Sequence, residues 1–247
     1  MRIKRFGVCI AALCAVAAVS AATETGDKEP FWLGGDISGM NATRLRVWVN
    51  PKDGFCSPED VLKMAKRSQA LGMPVMIDFH YSDWWADPGK QNPPKAWLGM
   101  TLEQTEKALA DHTRQTLRLL KDNGIDVKWV QVGNETTHGF LWPMGRFEEN
   151  PVNYASLTKA GIKAVREVYP EAEVIIHLDN GFDQGLYDRV FDSLKSNGVE
   201  WDTIGISVDP YWTPEWNAED DYRLGALSRN MPTVIMDAFK EAASSAR

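Results

Sequence analysis

The 247-residue chain is 44% hydrophobic and 25% charged, a balance that supports one large domain with a sizeable core. Its net charge is −7 and it has no basic block, which argues against nucleic acid or an anionic membrane surface as a partner. Ten tryptophans are unusually many, so their placement needs an explanation.

The first residues read MRIKRFGVCIAALCAVAAVSAAT. Arg2, Lys4 and Arg5 precede an apolar stretch from Phe6 to Val19, and Val19-Ser20-Ala21 or Ser20-Ala21-Ala22 offers a small-residue cleavage site. Residues 1–22 are expected to be a signal peptide, since the apolar run is short for a membrane span. Residues 23–247 are then a secreted or periplasmic domain with no membrane attachment after cleavage. Removal of Cys9 and Cys14 would leave Cys56 without a disulfide partner.

Strand-like runs follow at 43–49, 74–80, 129–135, 173–179 and 203–209, with a possible earlier one at 31–38 and a later one at 233–237. Helical patterns with readable ends lie between them. Ser57-Pro58-Glu59-Asp60 is a cap with proline at the first helical position, and Gly72 closes that helix. Thr101 and Gln104 form a capping box, with Asn123-Gly124 as the stop. Asn150-Pro151 opens a third helix, which Pro170 ends. This alternation predicts an α/β fold of the (β/α)8 TIM-barrel type, incomplete here because only six or seven strands are recognisable. An open doubly wound sheet is the alternative, though no glycine-rich phosphate loop follows the first strand. Only residues 39–42 separate the run at 31–38 from the next, too few for a parallel crossover.

Polar residues gather at the C-terminal ends of these runs: Arg46 and Trp48, Asp78 and His80, Asn134 and Glu135, His177 and Asp179, Ser207 and Asp209. In a parallel barrel such groups face the mouth, where active sites form. The stretch after the second run, His80-Tyr81-Ser82-Asp83-Trp84-Trp85-Ala86-Asp87, combines aromatic faces with short acceptors. That mixture suits sugar rings, which have apolar faces and a rim of hydroxyls. Trp97, Trp142, Trp212 and Trp216 also fall in loops after strands and are expected to contact carbohydrate.

No metal motif and no cofactor motif is present: His80, His112, His138 and His177 lack zinc spacing. His112 lies mid-helix and is expected to be structural. No Gly-x-Ser-x-Gly elbow occurs. Carboxylate chemistry remains, and glycosidic hydrolysis requires two acids. Glu135 suits the proton donor, because partial burial raises a carboxyl pKa. Asn134 beside it could bond a ring hydroxyl.

The segments RLRVWVNP (44–51), DFHYSDWWADPGKQ (78–91), VQVGNE (130–135), LWPMG (141–145), the strand with His177, and IGIS with PYW (204–212) resemble the family 53 glycoside hydrolases, the endo-β-1,4-galactanases. The resemblance covers nearly all of residues 23–247. It implies a (β/α)8 barrel and retaining endo-hydrolysis of the β-1,4-galactan of type I arabinogalactan, a pectic polysaccharide, with no cofactor. It makes Glu135 the acid/base with Asn134 assisting. It also makes Arg46, His80, Tyr81, Asp83, Trp84, Trp85, Asp87, His177 and Trp212 substrate-binding residues. Two departures stand out. The helix expected between the first strand and RLRVWV is absent, and the family's nucleophilic glutamate has no clear counterpart. Asp237 either ends a shortened strand at 233–237 in its place or lies on a helix over 234–243. A galactan-binding remnant without a proper nucleophile is therefore the alternative function, and a barrel glycosidase acting on β-glucan or β-mannan is a more distant one.

Overall fold

The computed structural model describes residues 42–181 and 183–207. Five parallel strands form one sheet: β1 (Thr43–Val47), β2 (Val75–Phe79), β3 (Val127–Val132), β6 (Glu173–Leu178) and β7 (Thr203–Ile206). They lie side by side in chain order. Four helices connect or follow them: α1 (Pro58–Ala70), α2 (Leu102–Asp122), α3 (Pro151–Val168) and α4 (Gln184–Ser196). Each helix packs against the next in chain order, α1 on α2, α2 on α3 and α3 on α4. The helices thus share one side of the sheet. A doubly wound sheet would reverse its strand order at a switch point and carry helices on both sides; the described residues do neither.

The helix ends form as their sequences dictate. The Ser57 hydroxyl accepts from Asp60 N, Pro58 is the first helical residue, and Gly72 leaves with φ +71°. Thr101 and Gln104 cap α2 reciprocally, with Thr101 Oγ1 accepting from Gln104 N at 3.3 Å and Gln104 Oε1 accepting from Thr101 N at 2.9 Å. Helix α4, which no cap signal had singled out, starts where Asp183 Oδ1 accepts from Leu186 N. A small antiparallel pair, β4 (Gly139–Phe140) with β5 (Gly145–Arg146), lies in the loop after β3.

Strand alternation divides the side chains into two sets. Leu45, Val47, Val75, Ile77, Phe79, Val130, Val132, Val174, Ile176 and Leu178 join the helices in one apolar core. The opposite face presents Arg44, Arg46, Asp78, Gln131, His177 and, just past β7, Ser207. The runs predicted to reach 49, 80, 135, 179 and 209 all end early, at 47, 79, 132, 178 and 206. Left-handed residues close three of them: Tyr81 (φ +49°) after β2, Gly133 (+88°) and Glu135 (+48°) after β3, and Asn180 (+51°) after β6. Such backbone cannot continue a ladder. The runs at 31–38 and 233–237 lie outside the described residues. Among the described residues, no helix is long and apolar enough to cross a membrane.

Candidate active site

The polar face of the sheet carries a hydrogen-bonded network that begins on β1. Arg44 Nη2 lies 2.9 Å from Asp78 Oδ2 and 2.8 Å from Asn134 Oδ1. Asp78 also accepts from Gln131 Nε2 at 2.5 Å and meets His80 Nε2 at 3.2 Å. His80 Nδ1 accepts from Ala86 N at 3.1 Å, so the ring's proton sits on Nε2 and points at Asp78. Burial alone would raise Asp78, but the guanidinium of Arg44 and the contact with His80 outweigh it and hold the carboxyl at about 2. Burial pulls His80 down, against the pull of Asp78.

Above this floor the chain leaves β3 through Gly133-Asn134-Glu135. Gly133 is required twice over: its φ is +88°, and a Cβ would sit 2.4 Å from Thr136 Cγ2. Glu135 takes the left-handed conformation with a full side chain, at a cost of about 1–3 kcal/mol. Several contacts impose it. Gln91 Nε2 donates to the carbonyls of Asn134 (2.8 Å) and Glu135 (3.2 Å). Asn134 Nδ2 donates to Ala86 O at 2.8 Å. Glu135 N donates to His177 Nδ1 at 3.2 Å. From below, Thr136 Oγ1 meets the buried Tyr154 hydroxyl at 2.9 Å.

The Glu135 side chain is half-buried, and Ser207 Oγ donates to its Oε1 at 2.7 Å. Burial pushes its carboxyl up from the ordinary range. Asp179 and Asp78 add to the rise, while the Ser207 hydrogen bond and Arg44 oppose it. His177 is buried, and desolvation followed by the positive charge of Arg44 pulls it down to about 3. Gly205 gives its ring room, since a Cβ there would lie 3.0 Å from His177 Cδ2.

Beside this network, at the β1 edge, Arg46 lies 3.5 Å from the Trp85 ring centroid and 5.1 Å from that of Trp48. Trp84 stands 4.7 Å from Trp48 and is 55% exposed. Together with Phe55, Cys56 and Asp53, these side chains (apart from Trp85) line a cavity of about 310 Å³.

The structure brings Glu135, Asn134, His177 and His80 together, and sets Arg46, Trp84 and Trp85 beside them. Two expectations need correction. Tyr81 does not face the mouth: it is buried in the core between sheet and helices, its hydroxyl 2.9 Å from Thr113 Oγ1 of α2 and its ring stacked on Phe79. Trp97 is likewise a core residue, edge-on to His112. Asp87 braces its own loop, and Asp83 ties that loop to the one after β1. Asp83 accepts from Asn50 N (3.1 Å) and Lys95 N (2.9 Å), and Asp87 pairs with Lys90 at 2.7 Å. His112 is half-buried, its ring edge-on to Phe79, Tyr81 and Trp97, which fits a structural residue. Trp142 donates to His138 O at 2.8 Å. Trp212, Trp216 and Asp237 lie outside the described residues. Arg44, Gln131 and Gln91 were not anticipated. For the first two a signal existed, since both share a strand face with the polar mouth residues.

Residues 7–236 match glycosyl hydrolase family 53. The probable arabinogalactan endo-β-1,4-galactanase A of Neosartorya fischeri is 36% identical over 184 residues, 72% of this chain and 51% of that protein. A family 53 catalytic domain from Ignisphaera aggregans superposes with a TM-score of 0.71 at 37% identity, over 75% of this chain and 53% of that one. A fungal β-1,4-galactanase structure gives a TM-score of 0.73 at 33% identity, over 77% and 59%. The chain spans about half the length of the curated relatives it matches. The α/β barrel class expected from the sequence holds, with five parallel strands among the described residues.

Proposed function

The chain belongs to glycosyl hydrolase family 53, and from that premise we propose that it cleaves internal β-1,4-galactosidic bonds of type I arabinogalactan with Glu135 as proton donor. The observation that carries this reading is the Glu135 carboxyl, half-buried at the C-terminal end of β3 and raised in pKa by that burial. A carboxyl raised in this way holds its proton to higher pH than an ordinary glutamate and can give it to the glycosidic oxygen as the bond from that oxygen to the sugar breaks. With Oε1 held by Ser207, Oε2 is the oxygen available to the substrate. Retention of configuration requires a second carboxylate about 5–5.5 Å away to form the glycosyl-enzyme. Asp237 is the candidate for it in the sequence, outside the described residues. Water then resolves the intermediate, with Glu135 acting as base.

Arg46, Trp84 and Trp85 are proposed to hold the galactan chain. An indole face covers the apolar side of a pyranose, and the guanidinium donates to its hydroxyls. Asn134 and His177 complete the site around the scissile bond. Export to the periplasm or medium belongs to the same proposal and is supported by the charged-then-apolar pattern of residues 1–22. The N-terminal residue of the protein recovered outside the cell checks it.

The test is release of reducing ends from β-1,4-galactan, mannan and cellulose assayed side by side. Cleavage confined to galactan is expected. Binding of galactan with no cleavage, or preference for another polymer, overturns the reading.

A further inference from the structure

Among the described residues, the hydrogen bonds around Glu135 fit one arrangement of protons. His177 is neutral, so its ring has a single N–H. Its Nδ1 lies 3.2 Å from Glu135 N, and a backbone amide can only donate. Nδ1 is therefore the acceptor, and the proton sits on Nε2. Nε2 is 3.0 Å from Ser207 Oγ, so the imidazole donates there. The serine's own hydrogen is then left for Glu135 Oε1 at 2.7 Å. The other tautomer would aim an N–H of His177 at the Glu135 N–H. It would gain only Asn134 Oδ1 at 3.1 Å, an oxygen that already accepts from Arg44 at 2.8 Å. It would also draw the Ser207 hydroxyl toward Nε2 and away from the carboxylate.

We infer that Ser207 is a positioning residue that closes a ring of three hydrogen bonds: Glu135 N–H to His177 Nδ1, His177 Nε2–H to Ser207 Oγ, and Ser207 O–H to Glu135 Oε1. The ring ties the left-handed backbone of Glu135 to the orientation of its own side chain, through residues on β6 and just past β7. It commits Oε1 to the protein and leaves Oε2 as the oxygen that carries the transferable proton. This inference rests on Glu135 being the proton donor. Among the described residues, the other charged or titratable groups acting on Glu135 include Asp179 beyond β6, Asp78 on β2 and Arg44 on β1; Tyr187 on α4 also interacts with it. The first two raise the carboxyl and Arg44 lowers it, while Ser207 supplies the opposing hydrogen bond. Removing the Ser207 donor should therefore move the Glu135 pKa further up.

The experiment uses the full chain without substrate. Nitrogen-15 shifts of the His177 ring report its tautomer, and carbon-13 shifts report the Glu135 titration, in the native protein, Ser207→Ala and Ser207→Thr. The expected result is Nε2–H in the native protein, an upward shift of the Glu135 midpoint in Ser207→Ala, and a native tautomer and midpoint in Ser207→Thr. On galactan, Ser207→Ala should lose roughly tenfold in kcat, the worth of one hydrogen bond, and the alkaline limb of its pH profile should move up. An Nδ1–H ring in the native protein, or a Glu135 midpoint unmoved in Ser207→Ala, overturns the inference. If Ser207→Ala does not fold, the native tautomer and the threonine variant decide. Failure of the native protein to cleave galactan would count against the functional reading alone, because the spectra need no turnover.

Discussion

Arg44 and Arg46 stand on one face of β1, two residues apart, in contrasting surroundings. Arg44 reaches under the site, where Asp78 and Asn134 lie within 2.9 Å of one of its nitrogens. Arg46 lies against two indoles, with only the Cys56 sulfur near a terminal nitrogen at 3.7 Å and a buried Nε that has no partner among the described residues. The first guanidinium is neutralised by a buried carboxylate and fixes the floor from which Asn134 and Glu135 project. The second is held in place by flat apolar faces and keeps donors at the wall of an open cavity. Identical side chains therefore sit in different settings, Arg44 as support and Arg46, in the proposed reading, as recognition, and their neighbours decide which.

This division can be broken at several points. The largest effect is expected for Asp78→Ala, which leaves Arg44 uncompensated and removes an acceptor from His80 and Gln131. Unfolding in denaturant should show a loss of about 3–5 kcal/mol. Acidification comes next. His177 is held at about 3, against an ordinary 6.5, by burial and then by Arg44. Below about pH 6.5 the unfolded chain takes up a proton that the folded protein refuses, so stability should fall as pH drops from there toward about 3. The slope is about 1.4 kcal/mol per pH unit for each such histidine. His112, held at about 4 by burial, adds the same sign. Thermal melts between pH 7 and 4 measure the slope.

The Arg46 side should behave in the opposite sense. Arg46→Ala is expected to weaken binding of galacto-oligosaccharides roughly tenfold by calorimetry, the worth of one or two hydrogen bonds, with a stability change under about 1 kcal/mol. Trp84→Ala, at an exposed position, should cost under about 0.5 kcal/mol in stability while also weakening the sugar. Large destabilisation by either, with binding intact, would erase the distinction between floor and wall.

Much of the floor was legible from the chain. Polar residues at successive strand ends pointed to Asp78, His80, Asn134, Glu135, His177 and Ser207, and all six share one network. Arg44 and Gln131 escaped because they sit inside strands, where attention to strand ends does not reach; counting alternate residues back along the same face would have found both. Tyr81 went wrong for a related reason. It shares the parity of Phe79, which packs toward the helices, and the two rings stack. Its position in the loop suggested a mouth residue, whereas alternation assigns it to the core. The left-handed backbone at Glu135 was not legible, because no glycine marks that position; it is imposed by bonds to Gln91, Ala86 and His177, distant in sequence.

The measurement that bears most directly on the site is galactan cleavage by the native chain and by Glu135→Gln, with oligosaccharide binding measured on both. Glutamine keeps the shape of the side chain and removes the transferable proton. Native turnover, its loss in the variant, and unchanged binding are the predicted result. Equal rates from the two proteins would contradict it.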